Sequence, residues 1–325
     1  MKVLVTGGAG YIGSVLCQLL MNKGYEVRVL DKLLYGGQSI AGFINNDLFE
    51  FIKGDICNYE DVVKAVDGVD SIINLAAIVG DPNCAAHPKE AKRTNVDGVK
   101  NLFAIANENG VKRFISASTC SNYGKMENPN AYVTEESELR PVSLYAETKV
   151  EMESFLLEQD RQVACKPTCL RFSTAHGLSP MMRFDLTVNH FTKDLALNRE
   201  LAIFGEQFWR PYCHIHDLSR AIIAVLEAES HLVSFEVFNV GATDQNYTKG
   251  MIVEEIKKLL PGAKVKYVKK EEDPRDYRVS FDKIHNTLGF TLEKSVVKTI
   301  SQVKQAIDDG LFQDPDAEEF NIGQG

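Results

Sequence analysis

TGGAGYIG, residues 6–13, follows the apolar run KVLV and leads into IGSVLCQLLMNKG, whose apolar residues recur at helical spacing. Within it, Gly8, Gly10 and Gly13 form a G-x-G-x-x-G pattern at a strand-to-helix turn. Such glycines permit a tight turn, a close approach of backbone to a pyrophosphate, and close packing of helix on strand. The start of the helix then faces the phosphates with unpaired N–H groups. Gly7, Gly10, Tyr11, Ile12 and Gly13 are therefore candidate contacts of a dinucleotide.

Asp31 ends the next apolar run, EVRVLD, about twenty residues on. A carboxylate there bonds ribose hydroxyls and repels a 2′-phosphate, so NAD is favoured over NADP. Lys32 follows and would soften that repulsion; a turn or capping aspartate is the alternative reading of Asp31. Further out, KVLVTG, EVRVLD, FEFIKGD, SIINLAA and RFISAS alternate with helical stretches that mostly close on Lys-Gly, Asp-Gly or Asn-Gly. Buried parallel strands alternating with helices predict an α/β fold, a Rossmann-like doubly wound sheet. Residues 1–170, with about 214–245, are assigned to this dinucleotide-binding domain. Residues 171–213 and 246–325 are assigned to a smaller α/β substrate domain. There MMRFDLTVNHFTKDLAL reads as a helix, LAIFG and KVKYV as strands, KKEEDPRDYRVS as a loop and DPDAEEFNIGQG as a loose tail.

The 325 residues are 44% hydrophobic and 25% charged, with a net charge of −9. No basic block is present, which argues against nucleic acid as a partner. The apolar start is short and runs into glycines, so it reads as neither signal peptide nor membrane span. Seven cysteines, scattered and without a C-x-x-C pair, fit a reducing cytoplasmic compartment. His214 and His216 lack a completing ligand set in the sequence, and no metal is expected.

Two stretches carry chemistry. ISASTCSNYG, residues 115–124, ends a strand in an unusual density of hydroxyls and one thiol. In YAETK, Tyr145 and Lys149 lie four apart on one helix face. An ammonium beside a phenol stabilises the phenolate, which makes a base able to take a hydroxyl proton while hydride leaves the same carbon.

With these motifs in order and spacing, together with GDI (54–56), NLAA (74–77), NVDG (95–98), LRFST (170–174), LAIFG (201–205) and RPYCHIHDLSRAI (210–222), nearly the whole chain resembles the extended short-chain dehydrogenase/reductases that act on nucleotide sugars. The resemblance implies that Asp55 and Ile56 flank adenine, Ala76 and Ala77 line the cofactor, and Asn95 supports the site. It makes Thr119 the hydroxyl partner of Tyr145, with Ser118 as the alternative. Arg210 matches the family's diphosphate-binding arginine, and Arg275 in DPRDY resembles the second. Ala202 and Phe204 of LAIFG would lie along the base, and Asn189 would contact phosphates. Thr174 stands where the best-known hexose epimerases carry a substrate-binding Asn. Arg183 and Asp185, in PMMRFDL, either face the sugar or pair with each other; this pattern resembles a subgroup that includes dehydrogenases of GDP-linked heptoses. The dehydratases' Asp-Glu pair after the catalytic Thr is replaced by Cys120 and Ser121, which disfavours elimination of water. Cys120 reads as buried and inert; the alternative is a thiol that moves a proton at C3 or C5.

The resulting expectation is NAD-dependent oxidation of a nucleoside-diphosphate sugar at C4, with epimerisation as the favoured outcome. The alternative is a 4-dehydrogenase that releases the ketone. A non-catalytic NAD sensor is the alternative of another class. A homodimer is expected from the apolar positions Val99, Leu102, Phe103, Met152, Phe155 and Leu156 on two helices that pair across a two-fold axis in the resembling family.

Overall fold

The computed structural model describes residues 1–126, 128, 131–269 and 275–322. Part of the KKEEDPRDYRVS loop (270–274) and the last three residues of the tail lie outside them. The strands are β1 (Lys2–Thr6), β2 (Glu26–Asp31), β3 (Phe49–Lys53), β4 (Ser71–Asn74), β5 (Arg113–Thr119) and β6 (Lys166–Phe172). They continue with β7 (Thr174–His176), β8 (Leu201–Phe204), β9 (Trp209–His214), β10 (Glu236–Val240), β11 (Asn246–Thr248) and β12 (Val265–Val268). Seven of them form one sheet in the order β10-β6-β5-β4-β1-β2-β3, every pair parallel. Helices cover both faces, so the central strands are apolar on both sides, as the sequence pattern requires.

One face is packed by helices Tyr11–Asn22 and Ile215–Glu227, through Leu16, Leu20, Leu218 and Ile222. The other is packed by Tyr59–Val66, Gly98–Glu108 and Leu144–Leu157, through Val62, Leu102, Phe103 and Met152. Strand order reverses between β1 and β4, and a ligand crevice belongs outside the carboxyl ends at such a switch point. A separate core joins helices Thr187–Ala196, Lys249–Leu259 and Val296–Asp308 to β8 and β9. Thr187, Tyr212 and Lys249 from these elements line the crevice.

Two expectations change, and a third loses part of its basis. Val99, Leu102, Phe103, Met152 and Leu156 are buried within the single chain, and Phe155 packs edge-on against Phe103. They pack against the sheet, so burial within one chain accounts for them and the homodimer stays an expectation of the family resemblance. The helix read over 181–197 starts only at Thr187. Before it, the Phe184 N–H donates to Phe320 (2.7 Å), and Asn189 donates to the Arg183 carbonyl (2.9 Å). These bonds take backbone groups that a helix would use. The tail is anchored rather than loose. Phe320 packs edge-on against Phe184 and Phe312, Asp316 pairs with Lys193 (2.6 Å) and Arg199, and the Ile322 carbonyl accepts from Asn83 (2.7 Å). The tail's aromatic residue and acid, hidden in a polar context, are what fix it.

Candidate active site

The cleft at the switch point encloses about 500 Å³. Its floor is the glycine turn. Gly7 has φ +73°, and a Cβ there would lie 2.7 Å from the Ala76 nitrogen; a Cβ on Gly13 would lie 2.3 Å from the Gly7 carbonyl. The tight-turn role thus belongs to Gly7, not to Gly8, which instead lies against Val29. A pyrophosphate-sized approach is left open over Gly10, whose added Cβ would meet only the Gly7 carbonyl at 3.2 Å.

Asp31 is oriented by N–H groups of Ala9 (3.0 Å) and Leu33 (2.8 Å). Burial raises its carboxyl above the usual range, against those two N–H bonds. Lys32 is engaged by Glu90 (2.9 Å) and lies 3.6 Å from Asp55. Its ammonium faces two carboxylates, so it does not offer a pocket for a 2′-phosphate. Gly7, Gly10, Tyr11, Ile12, Gly13, Asp31, Lys32, Asp55, Ile56, Ala76 and Ala77 all line the cleft. This lining fits a dinucleotide: close backbone at one end, a carboxylate at strand end, apolar walls between.

Asn95 does not line it. Its amide grips the backbone of Ile78 on both sides, at 2.8 and 3.0 Å, and reaches Thr148 at 3.1 Å. The π-helical turn Arg93–Asp97 places Thr94 on the cleft and Asn95 behind it. Asn95 is a support for the cleft wall.

Tyr145, Lys149 and Thr119 all line the cleft. Ser143 caps the helix that carries Tyr145 and Lys149, accepting from the Ala146 N–H (3.3 Å). Lys149 donates to the Ala117 carbonyl at 2.9 Å, which ties the helix to the end of β5. Burial pulls its pKa down to about 8. Burial pushes the Tyr145 phenol up, with Arg183 among the charges that oppose the rise. The Thr119 hydroxyl accepts the Ser121 N–H (3.1 Å).

The other residues of ISASTCSNYG divide clearly. Ser118 touches the cleft and donates to Glu153, which pairs with Arg171 (2.7 Å) inside a buried network. Cys120 is buried, donates to the Arg171 carbonyl (3.2 Å) and does not line the cleft; burial holds its thiol far above the usual range. Ser121 does line it and lies 3.4 Å from the Tyr277 hydroxyl.

On the substrate side, Thr174, Arg183, Arg210 and Arg275 line the cleft. Arg183 is held bidentately by Asp185, so the pair is internal and still faces the cavity through the arginine. The Arg210 guanidinium lies 5.3 Å from the centre of the Tyr277 ring. Asn189 does not reach the cleft. It is fully buried and bonds the Gly177 N–H (3.0 Å), the Tyr11 hydroxyl (3.0 Å) and the Arg183 carbonyl, which leaves no amide for phosphate. Ala202 and Phe204 are exposed on β8 outside the lining. The Phe204 carbonyl accepts from Lys249 (2.9 Å), and Lys249 is the residue of that region that does line the cleft.

Lys249, Tyr277, Tyr35 and Asp81 went unread in the sequence. Tyr277 lies two residues after Arg275 in the same DPRDY stretch. Asp81 opens the short helix Asp81–Ala86 before a proline, an ordinary helix start.

Residues 3–241 match the model of the NAD dependent epimerase/dehydratase family. The chain belongs to that family and is an NAD-dependent enzyme. It is 31% identical over 256 residues to the uncharacterized UDP-glucose epimerase YtcB of Bacillus subtilis (strain 168), covering 75% of this chain and 78% of that one. It is 30% identical over 304 residues to the dTDP-glucose 4,6-dehydratase of Streptomyces niveus, covering 90% and 88%. Among solved structures it is similar to UDP-glucuronic acid 4-epimerase from Bacillus cereus in complex with UDP-glucuronic acid and NAD, with a TM-score of 0.85, 26% identity and coverage of 96% and 100%. Among the described residues no helix is long and apolar enough to cross a membrane.

Proposed function

We propose that this protein oxidises a nucleoside-diphosphate sugar at C4 and returns the hydride to the opposite face, so that it is a C4 epimerase. The observation that carries this reading is that one cleft is lined by Thr119, Tyr145 and Lys149 together with the glycine turn, Arg210 and Arg275. Tyr145 takes the proton from the C4 hydroxyl, and Thr119 orients that hydroxyl. Lys149 holds a positive charge beside the phenol and bonds the nicotinamide ribose. NAD, when bound, supplies the hydride acceptor and a positively charged ring, which opposes the upward push of burial on the phenol. Arg210 and Arg275 fork onto the diphosphate, and Thr174 and Arg183 face the sugar.

The relatives include both epimerases and a dehydratase, and the cleft favours the former. Elimination of water needs an acid and a base beside the sugar's outer carbons. Among the described residues that line the cleft, the carboxylates are Asp31 and Asp55, both at the cofactor end. Cys120 is turned into the core.

The test is product analysis by NMR and mass spectrometry after incubation with UDP-, GDP-, dTDP- and CDP-sugars. A C4 epimer from one of them is the expected result. A released ketone would make the enzyme a 4-dehydrogenase. Tight NAD binding with no turnover of any sugar would favour a sensor instead.

A further inference from the structure

Arg275 already holds an anion in this structure. Its Nη1 lies 2.6 Å from the Asp81 carboxylate. The other oxygen of Asp81 accepts from the Ser143 hydroxyl at 2.7 Å. Ser143 is the cap of the helix that carries Tyr145 and Lys149. Asp81 itself starts a short helix directly after Gly80, whose φ of +86° turns the chain at the cleft wall. Three elements from different parts of the chain therefore meet at one carboxylate: the wall of the cleft, the catalytic helix, and the arginine from the far side.

We infer that Asp81 is a stand-in for the substrate's diphosphate: it holds Arg275 while the site is empty and is displaced from it when a nucleoside diphosphate binds. This rests on the reading of Arg275 as a diphosphate ligand. Both partners of the pair are partly exposed, Arg275 at 39% and Asp81 at 28% of the side chain. An ion pair of that kind is weak and screened by salt. A diphosphate carries more charge than a carboxylate and matches the guanidinium fork as well. The exchange therefore favours the ligand, at the cost of breaking the resting pair. Asp81 keeps Ser143 as a partner after the exchange, so its charge is not stranded. The same bond places the exchange two residues from Tyr145.

Asp81 thus lowers affinity for any nucleoside diphosphate and pre-orders Arg275. Its test is calorimetric titration of the NAD-loaded protein with free UDP, GDP, dTDP and CDP, in wild type, Asp81→Asn, Arg275→Gln and the double variant. Asp81→Asn keeps the size and the hydrogen bond to Ser143 but drops the competing charge. The tightest of the four diphosphates should bind Asp81→Asn about two- to fivefold better than wild type, more so at low salt. The gain should vanish when Arg275→Gln is also present, because nothing remains to be released. Unchanged or weaker binding in Asp81→Asn would show that the pair is only structural and would overturn the proposal. A gain that persists without Arg275 would be a general effect of removing negative charge and would also overturn it. If none of the four binds wild type or Asp81→Asn, the reading of Arg210 and Arg275 falls as well.

Discussion

The two sides of the cleft are built on different principles. On the cofactor side, recognition is fixed in the backbone: Gly7 at φ +73°, N–H groups of Ala9 and Leu33 on Asp31, and a parallel sheet buried on both faces. On the side proposed to hold the substrate, long side chains line the cleft and are already engaged: Arg183 with Asp185, Arg275 with Asp81, Arg210 with the Trp209 carbonyl, Lys249 with the Phe204 carbonyl. One side is ready for its ligand as folded. On the reading proposed above, the other trades internal partners for substrate. Binding there should accordingly be weaker for its contact area and more sensitive to salt.

The residue at the junction should give the largest effect. Tyr145→Phe removes the proton acceptor and keeps the ring, so single turnover of the best sugar should fall about a hundredfold to ten-thousandfold. NAD affinity by calorimetry should barely change. A loss of NAD binding of the same size would mean that the two sides cannot be separated at this residue.

The next pair of variants separates them directly. Gly7→Ala forces an L side chain to positive φ and against the Ala76 backbone. NAD affinity should drop roughly five- to thirtyfold, with nucleoside-diphosphate binding to the NAD-saturated protein little altered. Arg210→Gln should do the reverse, weakening the diphosphate roughly tenfold or more while NAD titrates as in wild type. Equal effects of both variants on both ligands would break the division.

A smaller effect follows from Lys149. With its pKa lowered to about 8, the ammonium is present at pH 7 and largely lost at pH 9. If NAD binds the charged form, affinity should be lower at pH 9 than at pH 7, by no more than about tenfold. In Lys149→Met that dependence should flatten. An equally steep profile in the variant would place the titrating group elsewhere.

The same contrast explains what could be read from sequence. Glycines at fixed spacing, Asp31 at a strand end and the Tyr145–Lys149 step of four residues are local patterns, and the structure puts all of them on the cleft except Gly8, which packs on Val29 while Gly7 takes the turn. Substrate-side residues depend on contacts between distant segments. Asn189 was read as a phosphate ligand, yet Tyr11 and Gly177 take its amide from more than ten residues away. The tail looked polar and loose, because nothing near Phe320 in sequence shows that Phe184 and Phe312 wait for it. The apolar positions of two helices suggested a dimer face, but periodicity alone does not say whether a stripe meets a sheet or a partner. Asp81 carries no motif at all, and its role emerges only from the meeting of Arg275 and Ser143.

The central claim is that chemistry occurs at C4 through Tyr145, with no proton moved at a neighbouring carbon. The direct measurement uses the active nucleotide sugar labelled with deuterium at C4, and in parallel the unlabelled sugar turned over in heavy water, with wild type and Cys120→Ser. The account predicts a primary isotope effect from the C4 label, deuterium retained at C4 in the epimer, no incorporation at C3 or C5 from solvent, and near-equal rates for the two proteins. Solvent deuterium at C3 or C5, together with a Cys120→Ser loss as large as that of Tyr145→Phe, would contradict it.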